Sequence, residues 1–286
     1  MTFVSSASEH LSYFDLQLDH PHWEQATVLD FGGNRGNALM AGRIKESNYW
    51  CIDVSWDAIE RGQRDYPEAH WVFYDRYNFE FNPTGIPDLP IPDLGRKFDY
   101  VLAYSVFSHT HKAEMIELVK DLRQLVAENG RLAFTFVDPH YVLPGDYSPL
   151  LRDHHPPTNL GLRLERTRQA KPNLPVQQLL SKAAGADWCA LIDNRDLYLD
   201  QDDPGISKAG IASSYRTFCT TRHMSQIFPE ATILACPEGV GSRGLESHHC
   251  CVLKARNENA VGMPDREEMV TPEKMQMKGA AAGTPG

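Results

Sequence analysis

From Thr27 to about Val137, short apolar runs alternate with amphipathic segments, and no other feature of the chain limits its possible folds as sharply. Such an alternation buries its apolar faces by laying the strands side by side in a parallel sheet, with the connecting helices packed on the two surfaces. The runs that read as strands are Val28 to Asp30, Tyr49 to Asp53, Trp71 to Tyr74, Tyr100 to Tyr104 and Arg131 to Val137. Trp56 to Tyr66 and Lys112 to Glu128 read as helices. In the second, Met115, Leu118, Val119, Leu122, Leu125 and Val126 recur at three- and four-residue spacing, and Asn129-Gly130 offers a left-handed cap to end it. The Pro-rich stretch Asn82 to Gly95 can continue neither a helix nor a central strand, so a surface connection is expected there.

After Asp138 the alternation fails. The chain to about Ser214 is rich in Pro, His and charge, with a short helical candidate at Val176 to Ala184. An insertion of that length is usually functional rather than a bare loop. Regular pattern returns with a short helix at TTRHMSQIF, capped by Thr220 or Thr221, and then ATILA and HHCCVLKA as an antiparallel strand pair joined by a glycine-rich loop. His248 and His249, adjacent in a strand, point to opposite faces and cannot chelate as a pair. The expected division is a first part of the core at 1–137, a capping insertion at 138–214, completion of the core sheet at 215–256, and a disordered tail at 257–286, where the chain turns polar and ends GAAAGTPG.

Charge narrows the partners. Of the 286 residues, 38 are acidic and 28 are Lys or Arg, a formal net charge of -10, whereas nucleic-acid binders neutralise phosphates with a basic face. A small molecule or peptide is the expected partner, and not nucleic acid. No stretch approaches the ~18 apolar residues of a membrane span, so no membrane partner is expected either. Six cysteines lie scattered without CxxC spacing, several of them inside apolar runs, which reads as small core residues in a reducing compartment, the cytoplasm by default. Sequence leaves the oligomeric state open.

The first strand runs into VLDFGGNRGN, Val28 to Asn37. In an open α/β sheet, ligands sit beyond the carboxyl ends of the strands at the switch point beside the first strand, where this turn falls. A dinucleotide fingerprint, G-x-G-x-x-G counted from Gly32, finds Gly32, Asn34 and Asn37, one match in three. The spacing acid-apolar-G-x-G-x-G finds Asp30, Phe31, Gly32, Asn34 and Gly36, with only the middle glycine replaced. The second template fits better.

Asp30 to Gly36, with CIDVS at Cys51 to Ser55, resembles the first two motifs of the class I S-adenosylmethionine-dependent methyltransferases. YDRYNF after the third strand, FDYVLAYSVFSH at the fourth and the helix ending in ENGRLAFTF extend the resemblance to about Val137. The resemblance implies a seven-stranded Rossmann-like α/β sheet with an antiparallel last strand, S-adenosylmethionine as cofactor, and methyl transfer to oxygen or nitrogen of a small metabolite or peptide. The alternatives are an enzyme that keeps the cofactor pocket for a cyclase or isomerase reaction, and a catalytically silent binding protein.

Carried onto this sequence, the resemblance gives Asp30 the methionyl ammonium, direct or through water, and Asp53 the ribose hydroxyls, with Val54 beside it. Gly32, Gly33 and Gly36 make room for the ligand against the backbone, and Asn34 is the non-glycine residue that best tolerates a left-handed conformation. Asp75, with Arg76 as its neighbour, is assigned the adenine amino group, and Ala103 and Tyr104 border the methionyl part. Asp53 has a plainer alternative, as a cap for the helix that begins near Ser55. Asp99, at the starting edge of its strand, reads as structural.

Histidine is the usual general base near neutral pH, so His109, just past the fourth strand, is a candidate catalytic group; a structural or solvent-facing histidine is the alternative. His111 is the weaker candidate. In the insertion, His140 is a second catalytic candidate, placed with Asp138, Tyr141, His154 and His155 where the family commonly binds its acceptor. Asp138, His140, His154 and His155 also hold donors suited to a divalent ion, but nothing fixes the spacing of a closed site, and no metal is assigned. Tyr13, Phe14 and Trp23 either lid the cofactor or close the end of the core.

Overall fold

The computed structural model describes residues 8–143, 158–200, 214–237 and 246–255. The tail expected from 257 onward lies outside them, as do His154 and His155.

Strand β1 (Val28–Phe31) is buried along its whole length, as its unbroken apolar character requires, and pairs in parallel on both sides. On one side lie β2 (Tyr49–Asp53) and β3 (His70–Phe73); on the other, β4 (Phe98–Ala103) and β5 (Val126–Phe136). The chain thus reverses its direction of travel across the sheet between β1 and β4, which opens the switch-point crevice. Between β1 and β2 it makes only short 3₁₀ turns, at Leu39–Ala41 and Glu46–Asn48. Helix α2 (Trp56–Asp65) crosses from β2 to β3, and α3 (Lys112–Gln124) from β4 to β5.

The expected helix to Glu128 stops at Gln124, and Asn129-Gly130 is not its cap. Leu125 and Val126 keep the helical spacing because both bury against the same layer, but Leu125 already gives its carbonyl to the Phe98 N–H, and Val126 pairs with Phe98. The strand then bulges, and regular pairing resumes with Tyr100 opposite Arg131. Gly130 is needed there because a Cβ would stand 2.7 Å from the Asp99 carbonyl oxygen and 2.8 Å from that of Phe98. Asp99 itself is structural, as expected: its carboxylate accepts from both the N–H and the hydroxyl of Thr27.

The insertion is more regular than its sequence suggests. Helices α4 (Asn159–Ala170) and α5 (Val176–Ala183) precede β6 (Trp188–Ile192) and β7 (Asp196–Leu199), and β8 (Tyr215–Cys219) follows. These strands form a separate antiparallel sheet in the order β7-β6-β8, covered by α4 and α5 through Leu160, Leu164, Val176, Leu191 and Phe218. The boundary expected at 214/215 therefore falls just before the third strand of this small sheet. Contacts to the main sheet run from Cys219 N–H to the Val137 carbonyl (2.9 Å) and from the Thr217 hydroxyl to the Phe107 carbonyl (2.7 Å).

Helix α6 (Thr221–Ile227), capped by the Thr220 hydroxyl, leads back to β9 (Thr232–Leu234) and β10 (His249–Lys254). Strand β10 lies between β5 and β9, antiparallel to both, so the seven-stranded order is β3-β2-β1-β4-β5-β10-β9. The antiparallel last strand is thus present. All six cysteines are free thiols, five of them buried. No described helix is long and apolar enough to cross a membrane.

Candidate active site

A cavity of about 260 Å³ opens at the carboxyl ends of β1, β2, β3 and β4, the location the switch-point rule gives. The turn after β1 forms one wall. Gly32 has φ +71°, and a Cβ there would collide with Val106 Cγ2 across the turn, so only glycine fits. Asn34, at φ 55°, is in the left-handed region its short polar side chain tolerates, and its N–H donates to Asp53 Oδ2 at 2.7 Å. Asp53 Oδ1 accepts the Ser55 N–H at 2.8 Å, while the Ser55 hydroxyl caps α2. The plainer reading of Asp53 is therefore half right: it braces the turn and the helix entry, and it also lines the cavity. A carboxylate has about four lone-pair directions, so these two bonds leave acceptor capacity free. Burial pushes its carboxyl above the ordinary carboxylate range.

Gly32, Asn34, Asp53, Val54, Arg76 and Tyr104 line the cavity together, and His109 joins them. Asp30, Gly33, Gly36, Asp75 and Ala103 do not. Asp30 lies beneath the turn, with Oδ2 accepting the Tyr49 hydroxyl at 2.7 Å and a Cβ on Gly33 only 2.6 Å from its carboxyl carbon. From there it secures the turn from below, next to the cavity-lining Phe31 and Gly32. Gly36, at φ +89°, packs against the Trp71 ring. Asp75 accepts from Asn82 Nδ2 at 3.1 Å, and Ala103 is fully buried in the sheet.

Arg76 is buried, and its guanidinium bonds Glu114 Oε1 at 3.0 Å and the Leu89 carbonyl at 2.7 Å. Glu114, on α3, also lines the cavity, and sequence reasoning missed it. The signal was an acid one turn before Leu118 on the apolar stripe, where a solvated residue does not belong. Tyr74 and His10 were missed as well. The His10 ring stacks on Tyr104 at 4.1 Å, and burial pushes it down to about 4, so it is neutral. Of the N-terminal aromatics, Tyr13 and Phe14 pack against Tyr104 and Trp23 is buried in the core, while α1 (Ser8–Gln17) brings His10, not these rings, to the cavity.

His109 sits between two charged groups. Its Nδ1 is 2.9 Å from Glu80 Oε2 and its Nε2 is 2.9 Å from Arg216 Nη1. A guanidinium can only donate, so Nε2 must present its lone pair and Nδ1–H must donate to Glu80. Burial and the neighbouring Arg216 hold its pKa below the ordinary histidine value, against the pull of Glu80. His111 instead caps α3.

His140 is exposed and turned from the cavity, its Nε2 against the Ala186 carbonyl at 3.1 Å. Asp138 uses both carboxylate oxygens on backbone N–H groups, of His140 and Thr221. Among the described residues no group of three His, Cys, Asp or Glu could hold a metal. The His248 ring faces Tyr104, and that of His249 faces Tyr141.

With this geometry in place, residues 29–132 match a family model described as a methyltransferase domain. Those residues run from the start of β1 into β5 and carry the glycine turn, Asp53 and the His109 loop. Residues 29–132 thus carry the methyltransferase-domain match, which covers less than half of the chain. No curated protein sequence matches this chain. Among solved structures it is similar to a TehB-like SAM-dependent methyltransferase from Corynebacterium glutamicum, at 17% identity over 46% of this chain and 62% of that one, with a TM-score of 0.32. The alignment thus spans less than two thirds of that protein. It is also similar to the glycopeptide N-methyltransferase MtfA complexed with S-adenosyl-L-homocysteine (10% identity, 90% and 92% of the two chains, TM-score 0.48). A third likeness is to the CcbJ methyltransferase from Streptomyces caelestis (11% identity, 88% and 90%, TM-score 0.46).

Proposed function

We propose that this methyltransferase moves a methyl group to an oxygen or nitrogen of a small-molecule acceptor that enters between the main sheet and the inserted small sheet. The observation that carries the reading is the convergence of Gly32, Asn34, Asp53, Tyr104 and His109 on one cavity at the carboxyl ends of the parallel strands. S-adenosylmethionine, when bound, supplies a methyl group on a positively charged sulfonium, which leaves by in-line displacement.

The chain's own part is alignment. Asp53 is the candidate for the ribose diol, because its carboxylate is fixed by two backbone N–H groups and keeps acceptor capacity on the cavity side. Gly32 and Asn34 bring the backbone close to the ligand. A carboxylate-lined pocket without a helix N-terminus at the first turn suits a ligand with no phosphate better than a dinucleotide. His109 is the candidate base: its neutral ring, oriented by Glu80, presents Nε2 as a proton acceptor once Arg216 moves off it. The free, mostly buried cysteines support a reducing, cytoplasmic setting.

Calorimetry tests the reading. Wild type should bind S-adenosylmethionine and S-adenosylhomocysteine, and Asp53→Ala should weaken both about tenfold or more, the scale of losing hydrogen bonds to a charged group. Absence of binding by wild type overturns the cofactor pocket. Undiminished binding by Asp53→Ala overturns the ribose contact.

A further inference from the structure

Beside the cavity, on the side of the insertion, lies a concentration of arginine at odds with a chain of net charge -10. Arg163 and Arg166 are three residues apart on α4 and share a face. Both reach Glu246, at 3.4 Å and 4.0 Å. Arg216, on β8, comes from the small sheet and donates Nη1 to Ser108 Oγ and His109 Nε2, both at 2.9 Å. Ser108 in turn bonds Ser105, which lines the cavity beside His109, so Arg216 stands directly behind that part of the wall, with Arg163 and Arg166 joined to it through the shared Glu246.

The acids facing this group are Glu246 and Glu80, the second of which is already committed to His109 Nδ1. Among the described residues, three guanidiniums against two carboxylates leave a surplus of one positive charge. Two guanidinium nitrogens, Arg166 Nη1, 4.0 Å from Glu246 Oε2 and so beyond hydrogen-bond reach of it, and Arg216 Nε, are buried with no hydrogen-bond partner among the described residues. A buried donor without a partner costs free energy, more so when it is charged, and two of them in one arginine cluster are the complement of an acceptor group. The Arg fork matches a carboxylate in plane and spacing, and a single surplus charge matches a monoanion.

We propose that Arg163, Arg166 and Arg216 form a subsite for a carboxylate carried by the methyl acceptor. This inference rests on the methyltransferase reading of the neighbouring cavity and narrows its acceptor class. A carboxylate held there leaves the remainder of the acceptor directed at Ser105, His109 and Tyr104, where the reacting oxygen or nitrogen is needed.

The test uses the full chain with and without S-adenosylhomocysteine and three probes: benzoate, its neutral counterpart benzamide, and inorganic phosphate, with binding followed by ligand-observed NMR. Benzoate should bind saturably and benzamide should not. Arg166→Gln and Arg216→Gln should each weaken benzoate about tenfold or more, while Arg61→Gln, an exposed position on α2, leaves it unchanged. Arg166→Lys, which keeps the charge but loses the fork, should fall between wild type and Arg166→Gln. Retained S-adenosylhomocysteine affinity in the variants shows that they fold. No benzoate binding, equal binding by wild type, Arg166→Gln and Arg216→Gln, or binding of phosphate in place of benzoate overturns the carboxylate subsite. If benzoate binds as expected while S-adenosylhomocysteine does not, the cofactor reading fails and the anion site stands.

Discussion

Asp30 shows how strongly burial and neighbours can shift one carboxylate at the glycine turn. It is 4% exposed, and burial pushes its pKa up to about 6, with the Tyr49 hydroxyl pulling the other way and Asp53 adding to the rise. The folded state therefore holds the Asp30 proton more tightly than the unfolded chain does. Its contribution to stability is greatest below the ordinary value of 3.8 and is lost as pH rises through about 6. A rise from 3.8 to about 6 corresponds to ~3 kcal/mol between the protonated and ionised forms. Relative to Asp30→Asn, wild type should lose about that much unfolding free energy between pH 4 and pH 7, measured by urea denaturation; a difference independent of pH contradicts the assignment. The residues at the turn were legible in sequence because a motif fixes backbone geometry over a few positions. Glu114 and Arg216 were not, because their partners Arg76 and His109 lie 38 and 107 positions away.

At the scale of elements, α2 and β3 meet at one tight place. Gly62, buried on α2, faces the Trp71 ring, and a Cβ there would enter the ring's van der Waals envelope. On an exposed helix face, Gly→Ala stabilises by about 1 kcal/mol. Here Gly62→Ala should instead destabilise by roughly 1–3 kcal/mol, the range of core overpacking, readable as a lower urea midpoint with unchanged slope. A stabilised variant refutes the close contact. The main-sheet strands were readable because their apolar runs are short, continuous and punctuated. The insertion hid its structure for a local reason: α4 places Leu160, Leu162 and Leu164 two apart, an alternation that belongs to strands, with Arg163, Arg166 and Arg168 interspersed. Likewise the helical spacing of α3 ran on into β5, since one buried layer receives side chains from both.

For the molecule as a whole, the cavity exists only where β1, β2, β3, β4 and α3 are assembled, so its ligand binds the folded state alone. At a hundredfold excess over its dissociation constant, S-adenosylhomocysteine should add about 2.7 kcal/mol of stability. That is a rise of roughly 5–10 °C in Tm for a chain of this size. Gly32→Ala, strained at positive φ and blocked by Val106, should lose most of the rise; an equal rise in wild type and variant would mean that the ligand binds elsewhere. By itself the sequence determined the parallel sheet, the C-terminal antiparallel strand pair and the place of the glycine turn, because periodicity and turn chemistry act between near neighbours. Only the tertiary structure decided that Asp30 turns inward, that His140 turns out, and that Arg216 from the inserted sheet meets His109. Those outcomes depend on burial and charge shared between segments far apart in the chain, which no local pattern records.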